Sequence, residues 1–206
     1  MLKFVSLLAL VLGVATAEYL DAPTSVTLQV YYETLCPDSI NFLVDQLYPS
    51  YLLFGGDVVQ VELIPYGHAS EDDSTGEKVF TCQHGPQECY GNKVHSCVIN
   101  AATVNQTVNF VFCAERSASP ANSTILQGCA EESDISWTDV EDCLSSGLAD
   151  ELLSANGNKT KIVDPTFIPT ITIDNVYSQE NQDGAIKHLK TLLCNILQYP
   201  IEYCRC

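Results

Sequence analysis

Positive charge is scarce in this chain. Nine lysines and arginines stand against 26 aspartates and glutamates, for a formal net charge of −17. A field of that sign repels phosphate backbones and anionic headgroups, which argues against nucleic acid and acidic membrane surfaces as partners. Long apolar runs are missing after residue 14: no later segment nears the about 18 residues that a membrane-spanning helix needs. The mature chain is therefore not expected to be membrane-embedded. The sequence has no G-x-S-x-G elbow, no P-loop and no G-x-G-x-x-G turn. Serine-hydrolase, nucleotide-triphosphate and dinucleotide chemistry consequently lack support. No internal repeat is visible.

What the chain does have begins with a leader. Lys3 is followed by the apolar run Phe4 to Val14 and by Ala15-Thr16-Ala17. This order of charge, apolar stretch and small residues is that of a secretory signal, expected over residues 1–17. Residues 18–206 are then one domain. Ten cysteines behind such a leader point to an oxidising compartment and a disulfide framework. Three N-x-[ST] sequons, at Asn105, Asn122 and Asn158, mark candidate glycosylation sites. All three fall between Cys97 and Pro169, so that stretch should present surface rather than core. The acidic surplus fits plain solubility and also fits work at low pH; charge does not choose between them.

The pattern of elements is α/β. Val26 to Glu33 alternates and is rich in Val and Tyr, as a strand is. Pro37 suits a first helical position, and Ile40, Phe42, Leu43, Val44 and Leu47 recur at helical spacing until Gly55-Gly56. Val58 to Tyr66 reads as a second strand, which completes a right-handed βαβ unit. An acidic loop, Glu71 to Glu77, reads as a solvated turn. The region from 82 to about 156 holds six cysteines and helix-like patches at Lys93 to Val104 and Asp139 to Leu148. From Phe167, two short strands are expected around Asp174-Asn175, followed by an amphipathic helix over Gly184 to Leu197.

Two features carry chemistry. Cys36 stands where the first strand pattern gives way to the helix, and a helix start offers unpaired N–H groups and partial positive charge to a thiolate. Glu33 and Asp38 bring negative charge nearby and act against it. The second feature is CQHGPQECYGNKVHSC, residues 82–97, with Cys82, Cys89 and Cys97. Its cysteines and histidines are zinc-ligand types, but the cysteines are spaced more widely than the tight pairs of zinc knuckles, and no metal is expected.

The pattern CQHG-x-x-EC-x-x-N-x-x-x-x-C, together with a cysteine at a strand-to-helix junction, resembles the gamma-interferon-inducible lysosomal thiol reductase (GILT) family. The resemblance runs from about residue 26 to 204. It implies a thioredoxin-like fold with a helical, disulfide-rich insertion between the second and third strands, roughly residues 70–160. It implies Cys36 as nucleophile toward disulfide-bonded protein substrates, in a secreted or lysosomal setting. It makes Pro169 a cis-proline facing that thiol. It also leaves eight cysteines for bridges, namely Cys82, Cys89, Cys97, Cys113, Cys129, Cys143, Cys194 and Cys204, with the connectivity open. Cys36 and Cys206 are then left over, either free, linked to each other or bridged to another chain.

One departure from the family is large. Its C-x-x-C site reads Cys36-Pro37-Asp38-Ser39 here. A serine hydroxyl cannot resolve a mixed disulfide by thiol exchange. The expectation is a weak monothiol reductase with no bound cofactor, dependent on an external thiol such as glutathione or cysteine. The other reading is a catalytically silent binding or regulatory glycoprotein on the same scaffold.

Overall fold

The structure is a computed structural model and describes residues 24–199 and Cys204. The signal segment and Cys206 lie outside the described residues. Strand β1 (Val26–Tyr32) is the middle of a three-stranded sheet, between β2 (Val59–Pro65) and β5 (Thr170–Ile173). Its alternate residues Leu28, Val30 and Tyr32 are wholly buried. The chain then forms α1 (Pro37–Asn41), a π-helical segment (Phe42–Leu47) and α2 (Tyr48–Phe54) in one continuous run. The π segment ends just before Pro49. Proline lacks an N–H and crowds the carbonyl four residues back, and a wider turn relieves that crowding. Tyr48 N–H accordingly reaches back five residues to Leu43 O. Gly55, at φ +78°, ends the run.

Strand β2 (Val59–Pro65) pairs in parallel with β1, from Val26 opposite Val59 to Tyr32 opposite Pro65. This is the expected βαβ unit. The acidic stretch that followed is more ordered than a bare turn. Strands β3 (Ser70–Asp72) and β4 (Val79–Thr81) form a small antiparallel hairpin around it. Asp72 Oδ1 accepts from Ser74 N–H, and Gly76 takes φ +86° at the tip.

Five helices follow: α3 (Pro86–Ala101), α4 (Val104–Glu115), α5 (Ser123–Glu132), α6 (Trp137–Ser145) and α7 (Leu148–Val163). Three of them start at a capping side chain. Thr103 and Gln106 close a capping box on α4, Asn122 caps α5 and Ser136 caps α6. Cys97–Cys143 staples α3 to α6, and Cys113–Cys129 staples α4 to α5. Cys82–Cys89 closes the loop that opens α3. Inward residues such as Val94, Val98, Phe110, Leu126 and Val140 join the sheet's own core. Asn105, Asn122 and Asn158 are exposed on this layer.

The chain returns as β5 (Thr170–Ile173), antiparallel to β1 with Leu28 opposite Ile173. The turn at Asp174-Asn175 forms with both residues at positive φ, the pairing that a tight hairpin favours. Its second strand does not form: a single bridge, Ile173 to Val176, is all that pairs. Ser178 immediately caps α8 (Gln179–Ile196), which begins five residues earlier than its apolar spacing indicates. The backbone leaves helical geometry at His188, and the Gln46 side chain accepts from the next N–H, Leu189. Cys194–Cys204 fastens the tail to α8. Among the described residues, no helix is long and apolar enough to cross a membrane.

Candidate functional site

Cys36 occupies the N-cap of α1, with extended φ −73° and ψ 120°, and Pro37 follows at the first helical position. Its carbonyl accepts the first intrahelical bond from Ile40 N–H at 3.0 Å. Among the described cysteines it is the one without a disulfide, and it is buried. Its Sγ donates to Ile168 O at 3.7 Å, and the Ile168–Pro169 peptide bond is cis. The thiol and Pro169's loop thus meet across 132 residues of sequence. Ser39 lies one turn further along the helix and is wholly buried. Its Oγ accepts from Glu33 N–H at 3.3 Å.

The proline loop has its own brace, which sequence reading missed. Gln182 of α8 donates through Nε2 to Pro169 O and accepts through Oε1 from Ile171 N–H, both at 2.8 Å. The signal available was a glutamine on an otherwise apolar-inward helix, which by itself marks nothing.

The 82–97 segment acts on the other side of Cys36. Asn92 Oδ1 accepts from Thr34 N–H at 3.1 Å, and Glu88 O accepts from the Thr34 hydroxyl at 3.3 Å. A Cβ at Gly91 would stand 2.5 Å from Thr34 Oγ1, so only glycine allows α3 this close. The turn ends with Cys36 N–H donating to Glu33 O at 3.3 Å. The segment therefore fixes the residues that lead into the thiol rather than touching it. Its cysteines are consumed by bridges to Cys89, Cys82 and Cys143, so they do not form a thiolate metal site.

Buried acids surround this turn. Glu33 is wholly buried, and its Oε1 accepts from His68 N–H at 2.6 Å. Burial is the main influence on its carboxyl, opposed by that N–H, reinforced by Glu88 and eased by His84; together they raise it to about 7. Deeper in, the Tyr32 hydroxyl and His95 Nδ1 lie 2.8 Å apart, and His95 Nε2 stands 4.0 Å from Glu115 Oε1. Burial pushes the Glu115 carboxyl well above the carboxylate range, with Glu88 adding to it, and burial pushes His95 down to about 3.

These shifts have a sign. Glu33 and Glu115 hold protons in the folded state that the unfolded chain releases above about 4.5. Their contribution favours folding at low pH and is lost as pH rises toward about 7 for Glu33. His95 acts oppositely, because it stays neutral where the unfolded imidazole takes a proton below 6.5. Two carboxyls against one imidazole leave the carboxyls to set the sign. The thermal midpoint, measured with EDTA present, should be several degrees higher at pH 5 than at pH 7. A midpoint that falls on acidification would contradict this reading.

Comparison with known proteins agrees with the geometry. Residues 27–133 match the family described as "Gamma interferon inducible lysosomal thiol reductase (GILT)". A goldfish (Carassius auratus) gamma-interferon-inducible lysosomal thiol reductase is 34% identical over 175 residues, covering 83% of this chain and 68% of that protein. GILT-like protein 1 of Drosophila melanogaster is 33% identical over 190 residues, covering 85% and 76%. Among solved structures, reduced DsbA from Mycobacterium tuberculosis superposes with a TM-score of 0.58 at 12% identity, covering 92% of each chain. MdbA, a thiol-disulfide oxidoreductase from Actinomyces oris, gives 0.59 at 12% identity over 84% of this chain and 81% of that one. The structural likenesses establish the thioredoxin-like fold. The sequence matches show that this chain belongs to the gamma-interferon-inducible lysosomal thiol reductase family.

Proposed function

We propose that this protein is a monothiol disulfide reductase that works outside the cytosol, secreted or lysosomal, with Cys36 as its nucleophile. The observation that carries the reading is the meeting of a free helix-start thiol with the cis-proline loop, while Ser39 stands in place of a second thiol. The Cys36 thiolate attacks one sulfur of a substrate disulfide. A bond forms between that sulfur and Cys36, the substrate S–S bond breaks, and the second substrate sulfur leaves as a thiolate that takes a proton from water. An external thiol, such as glutathione or cysteine, then attacks the mixed disulfide at Cys36 and releases the second substrate thiol. A second external thiol frees Cys36 and departs as oxidised disulfide. The net change is one substrate disulfide reduced and two external thiols oxidised.

A disulfide-bonded protein is the substrate class. The leader over residues 1–17 supports export, and the buried Glu115 carboxyl, which favours folding at low pH, supports an acidic compartment. The exposed Asn105, Asn122 and Asn158 would carry glycans there.

The second reading is a silent binding glycoprotein on the same scaffold. Ser39 favours it, because its buried Oγ is already engaged by Glu33 N–H and supplies no resolving group. Turnover of a disulfide-bonded protein with millimolar glutathione, at pH 5 and pH 7, separates the two. The reductase reading predicts slow turnover that scales with thiol concentration and disappears in Cys36→Ala. A rate no greater than glutathione alone would favour the binding protein.

A further inference from the structure

Two carboxylates and one ring nitrogen converge between the turn before Cys36 and the start of α3. Glu33 Oε2 is buried and has no hydrogen-bond partner. It points at His84 Nδ1 from 3.4 Å, but that nitrogen already lies 2.6 Å from Glu88 Oε2. One ring nitrogen carries at most one hydrogen, so it cannot satisfy both acids. Glu88 is itself wholly buried, with Oε1 accepting from His84 N–H at 3.0 Å. Three ligand atoms, one from each residue, lie within 4.8 Å of one another. An orphaned acid at the centre of such a set is a group that lacks its counter-charge.

We propose that Glu33, His84 and Glu88 form a divalent-cation site, and that zinc is the ion their donors suit best. One imidazole nitrogen and two carboxylate oxygens are borderline donors of the kind zinc takes, and three protein ligands leave a fourth position for water. Tetrahedral ligands about 2 Å from zinc stand about 3.4 Å apart. The Glu33–His84 separation already has that value, and Glu88 has to withdraw by about 0.8 Å. The ring binds neutral through Nδ1, and any proton on Nδ1 or on the Glu33 carboxyl passes to solvent. The His84 side chain, 31% exposed, gives the ion its way in.

The scaffold holds these ligands before any ion arrives. The Cys82–Cys89 bridge closes the loop that bears His84 and Glu88, and Gly85 turns it at φ +89°. Opposite, Gly67 at φ +59° lets the backbone pass Glu33 so closely that a Cβ would lie 2.2 Å from its Cγ. The His68 N–H thereby holds Oε1 and leaves Oε2 for the ion. A bound cation would fasten the 82–89 loop to the turn that leads into Cys36.

The test is titration of the intact, disulfide-bonded protein with zinc chloride at pH 7. Calorimetry should show one saturable equivalent, and X-ray absorption should show a nitrogen and oxygen shell without sulfur. Glu33→Gln and His84→Gln should each weaken binding at least about 100-fold, at the upper end of what losing an outer hydrogen-bond partner costs a metal site. Cys36→Ser should leave binding unchanged. If a variant does not fold, as judged by near-ultraviolet circular dichroism, the absorption spectrum of the parent decides. Absence of saturable binding, sulfur in the shell, or unchanged affinity in folded His84→Gln would overturn the site.

Discussion

Replacing Ser39 with cysteine is expected to raise multiple-turnover disulfide reduction at least about tenfold over the parent. Tenfold corresponds to only about 1.4 kcal/mol of barrier, and the change supplies a whole resolving step. Residues 36 and 39 are three apart at the start of one helix, a spacing that puts side chains on the same face. A thiol at 39 can therefore attack the Cys36 mixed disulfide from within the protein, and the external thiol is then needed only to reduce the resulting bridge. The cost is modest. The group it displaces is one 3.3 Å hydrogen bond from Glu33 N–H. Steady-state reduction of a disulfide-bonded protein, with the external thiol held constant, measures the effect. A Ser39→Cys variant no faster than the parent would mean that the site has diverged beyond this one residue, at Pro37-Asp38 or around Pro169.

The largest effect on stability should come from the Cys97–Cys143 bridge. It spans 46 residues, against 7 for Cys82–Cys89. By chain entropy alone, loss of the long bridge costs about 4 kcal/mol and loss of the short one about 2.5 kcal/mol. The long bridge also sits in the core, where Cys97 is fully buried between α3 and α6. The double change Cys97→Ala with Cys143→Ala should therefore lower the denaturant midpoint more than Cys82→Ala with Cys89→Ala. The reverse order would show that the short bridge holds structure beyond its own loop.

The βαβ start was legible because local signals agree there. Alternation in VTLQVYY, Pro37 at a helix start and Gly55-Gly56 at its end all point the same way. Of the five insertion helices, apolar spacing marks α3 and α6 in the sequence, and α4, α5 and α7 emerge only in the fold. The hairpin around the acidic turn is held by three-residue strands, too short for periodicity to mark. The second strand after Asp174-Asn175 had the composition of a strand but no partner, and Ser178 starts a helix instead. The cis bond before Pro169 was accessible only through family resemblance, since X-Pro bonds are mostly trans.

The nucleophile was legible and its surroundings were not, for a physical reason. Cys36 announces itself by a junction between two local patterns. Its supports come from far along the chain: Asn92 is 58 residues from Thr34, and Gln182 reaches the proline loop from the last helix. Glu33 reads in sequence as a negative charge that opposes a thiolate. In the fold it is buried, near neutral pH in its titration, and turned toward His84. Burial of that kind depends on Gly67 admitting a close backbone contact, and sequence does not show which glycines do so.

Covalent capture tests the central claim most directly. The protein is incubated with a disulfide-bonded protein without external thiol, quenched in acid and separated without reductant. The account predicts an adduct joined through Cys36 that persists because Ser39 cannot resolve it, that dithiothreitol releases, and that Cys36→Ser never forms. Failure to form any adduct, together with failure of alkylating agents to label Cys36 in the native protein, would contradict it.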